Sequence, residues 1–226
     1  MLESLPSADD LYLAANEGEV EQCRPILTGD VFSAVGIPGI DDVGSAMVLT
    51  HPCSMRADGV NLAPKLLMAL VGPHEDIPLR MWKGHFGLMP LPNLLGEPHA
   101  VYFDQIGLVP TADLAEKTRV ACLTPLGINL MQQRYIWYLT RFEVPTFKLN
   151  DVCGAVFEEA DLCEEWAIER TDTSAGIAEA HLEFHDWIRI TDESGSSRQI
   201  GLSDPQRRAG IRRTMRQHLK TLNDGH

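Results

Sequence analysis

The stretch SAMVLTHPCSMRADG, residues 45–59, decides how this chain reads. An apolar run, Ala46 to Leu49, leads directly into Thr50, His51, Pro52, Cys53, Ser54, Met55 and Arg56. Such a run reads as a buried strand, and the end of a core strand is where a scaffold presents functional side chains. Residues 26–110 continue the pattern. Short apolar runs at Val31–Val35, Ala46–Thr50, Leu66–Val71, His85–Met89 and His99–Phe103 are punctuated by Pro38-Gly39, Pro52, Gly59, Gly72-Pro73, Pro90, Pro92 and Gly96. Many short strands with turn-rich connections predict a small barrel or a strongly bent sheet. Gly36 to Gly44 reads as a surface loop between two of them.

On either side the pattern changes. Residues 1–24 read as a leader, with Asp9 or Asp10 capping a short helix through Leu11, Leu13 and Ala14. From residue 111 the spacing turns helical. Thr124 as N-cap and Pro125 at the first helical position open a helix that runs to Thr140. A second helix follows from about Leu149 to Glu169, with Val152, Val156, Ala160 and Cys163 as its stripe. AHLEFHDWIRIT (180–191) alternates, placing Leu182, Phe184, Ile188 and Ile190 on one face, and predicts a hairpin with Arg198–Leu202 as its return strand. Ser203-Asp204-Pro205 starts a last helix with Ile211, Met215, Leu219 and Leu222 on its apolar side. The expected class is α+β: an SH3-like β-barrel at 25–110, then a unit at 111–226 of helices, a C-terminal hairpin and a helix.

Composition narrows the function classes. The 226 residues carry 44% apolar and 23% charged side chains and a net charge of −13, ordinary for a soluble globular protein. No apolar run reaches the roughly 20 residues that span a bilayer, and the start is acidic, so the expectation is a cytoplasmic protein with no membrane association. The five cysteines are odd in number and lack a C-x-x-C pair, which argues against a disulfide framework or a ribbon-type zinc site. The acidic balance disfavours nucleic acid over the surface as a whole.

Three constellations carry possible chemistry. His51 and Cys53, two apart on an extended chain, point to the same side, where an imidazole activates a thiol and Arg56 holds an anion. The alternative is a turn in which Cys53 packs, His51 caps and Arg56 is solvated. His181, Glu183 and His185 share one face if residues 180–190 form a strand, a donor set suited to zinc or iron. The alternative is the polar outer face of a hairpin. Arg208, Arg212 and Arg216, at i, i+4 and i+8, form a ridge suited to phosphate or to acidic protein. Residues 206–220 hold six Lys or Arg and no acid, whereas 151–193 hold thirteen acids against Arg170 and Arg189, so docking on the chain's own acidic middle is the favoured reading of that ridge. No Walker loop, G-x-G-x-x-G, HExxH or G-x-S-x-G occurs.

Ile26-Leu-Thr-Gly29-Asp30-Val31, a glycine-containing loop, and Ala46-Met-Val-Leu49-Thr50 resemble the start of PemK/MazF-like toxins, followed by a loop at Pro52–Gly59 and a strand at Leu66–Val71. The resemblance covers about residues 26–72. It implies an SH3-like barrel, usually dimeric, in a family whose active members cut RNA. The family's catalytic arginine falls at Gly44-Ser45 here and its threonine at Val71-Gly72-Pro73, so ribonuclease activity does not transfer with the fold. Arg119 to Leu123 also resembles an R-V-A-x-L segment in bacterial proteins of unassigned function. Two readings follow. One is a non-catalytic binding or regulatory protein in a bacterial toxin–antitoxin or phage-defence setting. It would have a groove beside loops 36–44 and 51–59 and a protein partner or second copy in preference to nucleic acid. The other is an enzyme using Cys53 with His51, or a metal at His181, Glu183 and His185. No cofactor is assigned.

Overall fold

The computed structural model describes residues 2–41, 43–171, 176–191 and 195–224. The chain divides into two compact units, one of Met1–Val20, Leu27–Ala57 and Asn61–Val152, the other of Glu21–Ile26, Asp58–Val60 and Cys153–His226.

The first unit is built on an antiparallel sheet of seven strands: β1 (Tyr12–Ala14), β2 (Val31–Gly36), β3 (Val43–Val48), β4 (Lys65–Pro73), β5 (Leu88–Leu94), β6 (Glu97–Pro110) and β7 (Arg119–Leu123). Their order is β1-β7-β2-β3-β4-β6-β5. The mixed α and β class expected from sequence holds. The pairings leave the sheet open, with β1 and β5 as its edges, so closure into a barrel is not observed. The short runs of the sequence become the central strands: Val31 pairs with Met47, and Ala46 with Leu70. Edge strand β5 carries Pro90 and Pro92, which remove two donors and blunt that edge against further pairing. At β6, a Cβ on Gly107 would lie 2.6 Å from Ile37 Cγ2, so glycine there lets the Ile37-Pro38 turn close on the sheet.

Short helical turns α1 (Pro52–Met55) and α2 (Thr111–Leu114) follow β3 and β6. Helix α3 (Pro125–Thr140) starts where the sequence predicts, with the Thr124 hydroxyl accepting from Gly127 N at 3.0 Å. It ends at Arg141, which adopts the left-handed conformation, φ 63°. Phe103 of β6 meets Tyr135 and Tyr138 with ring centroids 5.4 and 6.0 Å apart, seating α3 on the sheet. The N-terminal residues join the same core. Leu2, Leu5 and Leu11 are buried. Ser7, not Asp9 or Asp10, is the N-cap, and it opens a 3-10 turn at Ala8–Leu11 in place of the expected helix.

The second unit contains most of α4 (Thr146–Thr171), with α5 (Ile177–Arg189), α6 (Arg198–Gly201) and α7 (Pro205–Asp224). The hairpin expected at 180–202 is therefore corrected. Its first strand is α5 and its return is α6. Part of its expected turn, residues 192–194, lies outside the described residues. Ala180, Phe184, Trp187 and Ile188 are buried at i, i+4, i+7 and i+8, while Leu182 and Ile190 are exposed. The segment satisfied both periods on paper, and the 3.6-residue period is the one that buries its aromatic side chains. Trp166 of α4 packs against Phe184 and Trp187 at 6.0 and 5.5 Å, and Met215 and Leu219 of α7 complete that core.

Candidate functional site

The turn after β3 is stapled before its chemistry begins. Thr50 Oγ1 accepts from Leu67 N at 2.7 Å, and Thr28 Oγ1 donates to Thr50 O. Pro52 at the first position then starts α1 and brings His51, Cys53 and Arg56 onto one helical turn. His51 is its N-cap: Nδ1 accepts from Cys53 N at 3.3 Å. Burial pushes the His51 imidazole below its ordinary pKa, which favours the neutral ring. A neutral ring that accepts at Nδ1 carries its proton on Nε2. The Nδ1 lone pair, committed to the backbone, does not take a proton from the Cys53 thiol. Cys53 is exposed, with Sγ 4.0 Å from Val152 O, and Arg56 is the C-cap residue of the turn.

The set His181, Glu183 and His185 rested on a strand. On α5, successive residues two apart turn by about 200°, so the three side chains diverge. His181 Nε2 bonds Cys23 O at 2.8 Å. Glu183 is forked by Arg170, Nε to Oε2 at 2.8 Å and Nη2 to Oε1 at 3.2 Å. His185 is buried edge-on to Phe184, centroids 5.7 Å apart.

The arginine ridge docks within its own unit. Arg212 donates to Glu165 and Glu158, both at 2.8 Å, and Arg216 pairs with Glu165. Arg208 Nε donates to Leu202 O at 2.8 Å. Arg24, nearly buried, reaches Asp161 at 3.0 Å and also pairs with Glu164. The acidic middle of the chain is thus the local counter-charge of its basic end.

One feature of the first unit escaped the sequence reading. Arg134 of α3 is fully buried and holds three backbone carbonyls, Trp82 O at 3.0 Å, His85 O at 3.2 Å and Glu3 O at 3.2 Å. Its guanidinium carbon lies 5.4 Å from the centre of the Trp82 ring. Burial pushes its pKa down to about 10. The preceding Gln133 Nε2 donates to Val144 O at 2.9 Å and to Glu3 Oε1 at 3.1 Å. Two neighbouring residues of α3 therefore moor two surface segments, residues 82–86 and the connection 141–146.

Those segments carry large apolar side chains into solvent. Phe142 is 75% exposed, Phe147 62%, Met81 52% and Phe86 43%. Phe86 meets Trp137 at 5.8 Å. Exposed Arg80, Lys83, Arg141 and Lys148 flank them, and the stretches 79–87 and 134–148 hold a single acid, Glu143. The signal in sequence was the density of apolar residues from Ile136 to Phe147, beyond what one amphipathic stripe requires. Neither a scan of protein-family models nor a search of curated proteins found a match to this chain.

Proposed function

We propose that this protein works by binding, as a non-catalytic or regulatory protein, and that the aromatic end of its first unit is the contact surface. The observation that carries this reading is the exposure of Phe142, Phe147, Met81 and Phe86 on segments moored to α3. A surface cluster of this size is costly to keep in water and marks interaction sites on soluble proteins. The committed roles of His51, His181, Glu183 and the arginine ridge support the same reading, because each already serves a cap, a helix contact or an ion pair. A MazF-like descent for β2, β3 and β4 belongs to this proposal. It is supported by the Gly29-Asp30-Val31 opening of β2 and the Ala46–Leu49 run of β3, and a toxin–antitoxin or defence setting in a cytoplasm would go with it.

The test uses 8-anilinonaphthalene-1-sulfonate, an apolar anion. The native chain is expected to enhance its fluorescence, and the double variant Phe142→Ser, Phe147→Ser is expected to lose most of that enhancement at an unchanged melting temperature. Equal dye binding by the two proteins would overturn the reading.

A further inference from the structure

We infer that the aromatic end of the first unit docks on an anionic lipid surface. This rests on the contact-surface reading above and names its partner. Among the described residues no helix is long and apolar enough to cross a membrane, so the association concerns the bilayer surface alone.

Three observations point to lipid. The first is charge. In a chain of net −13, the exposed charges around Phe86, Phe142 and Phe147 are Arg80, Lys83, Arg141 and Lys148 against Glu143. Basic groups beside a bilayer are drawn to its acidic headgroups, within reach set by the Debye length.

The second is shape. Phe86 stands on a connection, Phe142 just past the left-handed end of α3, and Phe147 on the first turn of α4. Recognition of a helix by a groove requires apolar anchors lining a cleft. Ring tips presented from three separate turns suit insertion among headgroups. Trp137 and Tyr138, half-buried behind them, are the side chains that favour the boundary between water and hydrocarbon.

The third is rigidity. Arg134 ties the 82–86 segment to α3, and Gln133 ties Val144 to the same turn. Glu3 also accepts from Thr146 N at 2.9 Å, directly before Phe147. The ring tips are held before contact, so little ordering is required on binding.

The experiment is cosedimentation of the full chain with vesicles of phosphatidylcholine alone or mixed with phosphatidylglycerol. Binding to the mixed vesicles is expected, weakening by about tenfold on neutral vesicles and falling with salt. The double variant Phe142→Ser, Phe147→Ser is expected to bind at least about tenfold more weakly, since each lost ring removes buried apolar area. Arg141→Glu with Lys148→Glu is expected to abolish the preference for phosphatidylglycerol. Leu108→Ser, at an exposed apolar position on β6, is expected to bind as the native chain does and controls for general loss of surface apolarity. No binding to mixed vesicles overturns the lipid assignment. If the double variant has still lost dye binding, the contact surface stands and its partner is an acidic protein or a second copy; if dye binding is unchanged, the contact-surface reading falls with it. Equal binding by the double variant and the native chain also overturns the proposal.

Discussion

Arg134 shows how one residue organises its surroundings. A fully buried guanidinium is ordinarily met by a carboxylate; here backbone carbonyls of Trp82, His85 and Glu3 meet it. Arg134→Met keeps the volume but leaves those carbonyls without a donor. It is expected to lower the unfolding free energy by about 2–4 kcal/mol, read by urea denaturation. Tyr12 supplies a pH prediction. Its hydroxyl is buried and has no partner, and burial raises its pKa above the ordinary 10.0. Above pH 10 the unfolded chain releases this proton and the folded chain retains it. The stability linked to Tyr12 is therefore complete below pH 10 and declines by about 1.4 kcal/mol per pH unit above it. Tyr12→Phe is expected to flatten that alkaline decline in denaturation curves recorded between pH 9 and 11, without loss at pH 7. The sequence reading picked out neither residue, because a buried arginine or tyrosine looks in sequence like any half-exposed one.

At the scale of elements, α3 and α5 make a pair. The start and end of α3 were legible because Thr124 and Pro125 act within one turn of chain. Its Gly127 was legible only in part. Helix propensity alone predicts that Gly127→Ala stabilises by about 1 kcal/mol. The structure reverses the sign: an added Cβ would lie 2.5 Å from Leu11 O, which is backbone and gives way only if the N-terminal segment moves. Gly127→Ala is expected to destabilise by about 1–3 kcal/mol. Gly210→Ala on α7, where nothing lies within 4 Å, is expected to stabilise by about 0.5–1 kcal/mol. The two variants, compared by urea midpoint, separate propensity from packing. For α5, the alternation of AHLEFHDWIRIT concealed a helical stripe, and only the partners Trp166 and Met215 select it.

At the scale of the whole molecule, acid lability follows from carboxylates in both units. Burial pushes Glu3 up, yet the hydroxyl and amide of Thr146 and the amide of Gln133 outweigh it and hold Glu3 below its ordinary 4.5. Arg170 holds Glu183 below the same value, against its burial. A carboxylate lowered on folding adds stability that is complete above pH 4.5 and is lost as pH falls through the folded value. The melting temperature is expected to drop steeply below pH 4.5, and Glu3→Gln to show a shallower drop from a lower starting value. Charge balance was legible from sequence: a basic end beside an acidic middle implied internal pairing, and Arg212 and Arg216 on Glu158 and Glu165 supply it. The sequence by itself determined the central strands, the start of α3, the apolar side of α7 and this pairing, because caps, periodicity and net charge act over short stretches of chain. Only the tertiary structure decided that α5 is a helix, that His51 caps a turn, and that Phe142 and Phe147 face water. Each of those depends on which distant residue fills the space or accepts the hydrogen bond, and that partner is set by packing.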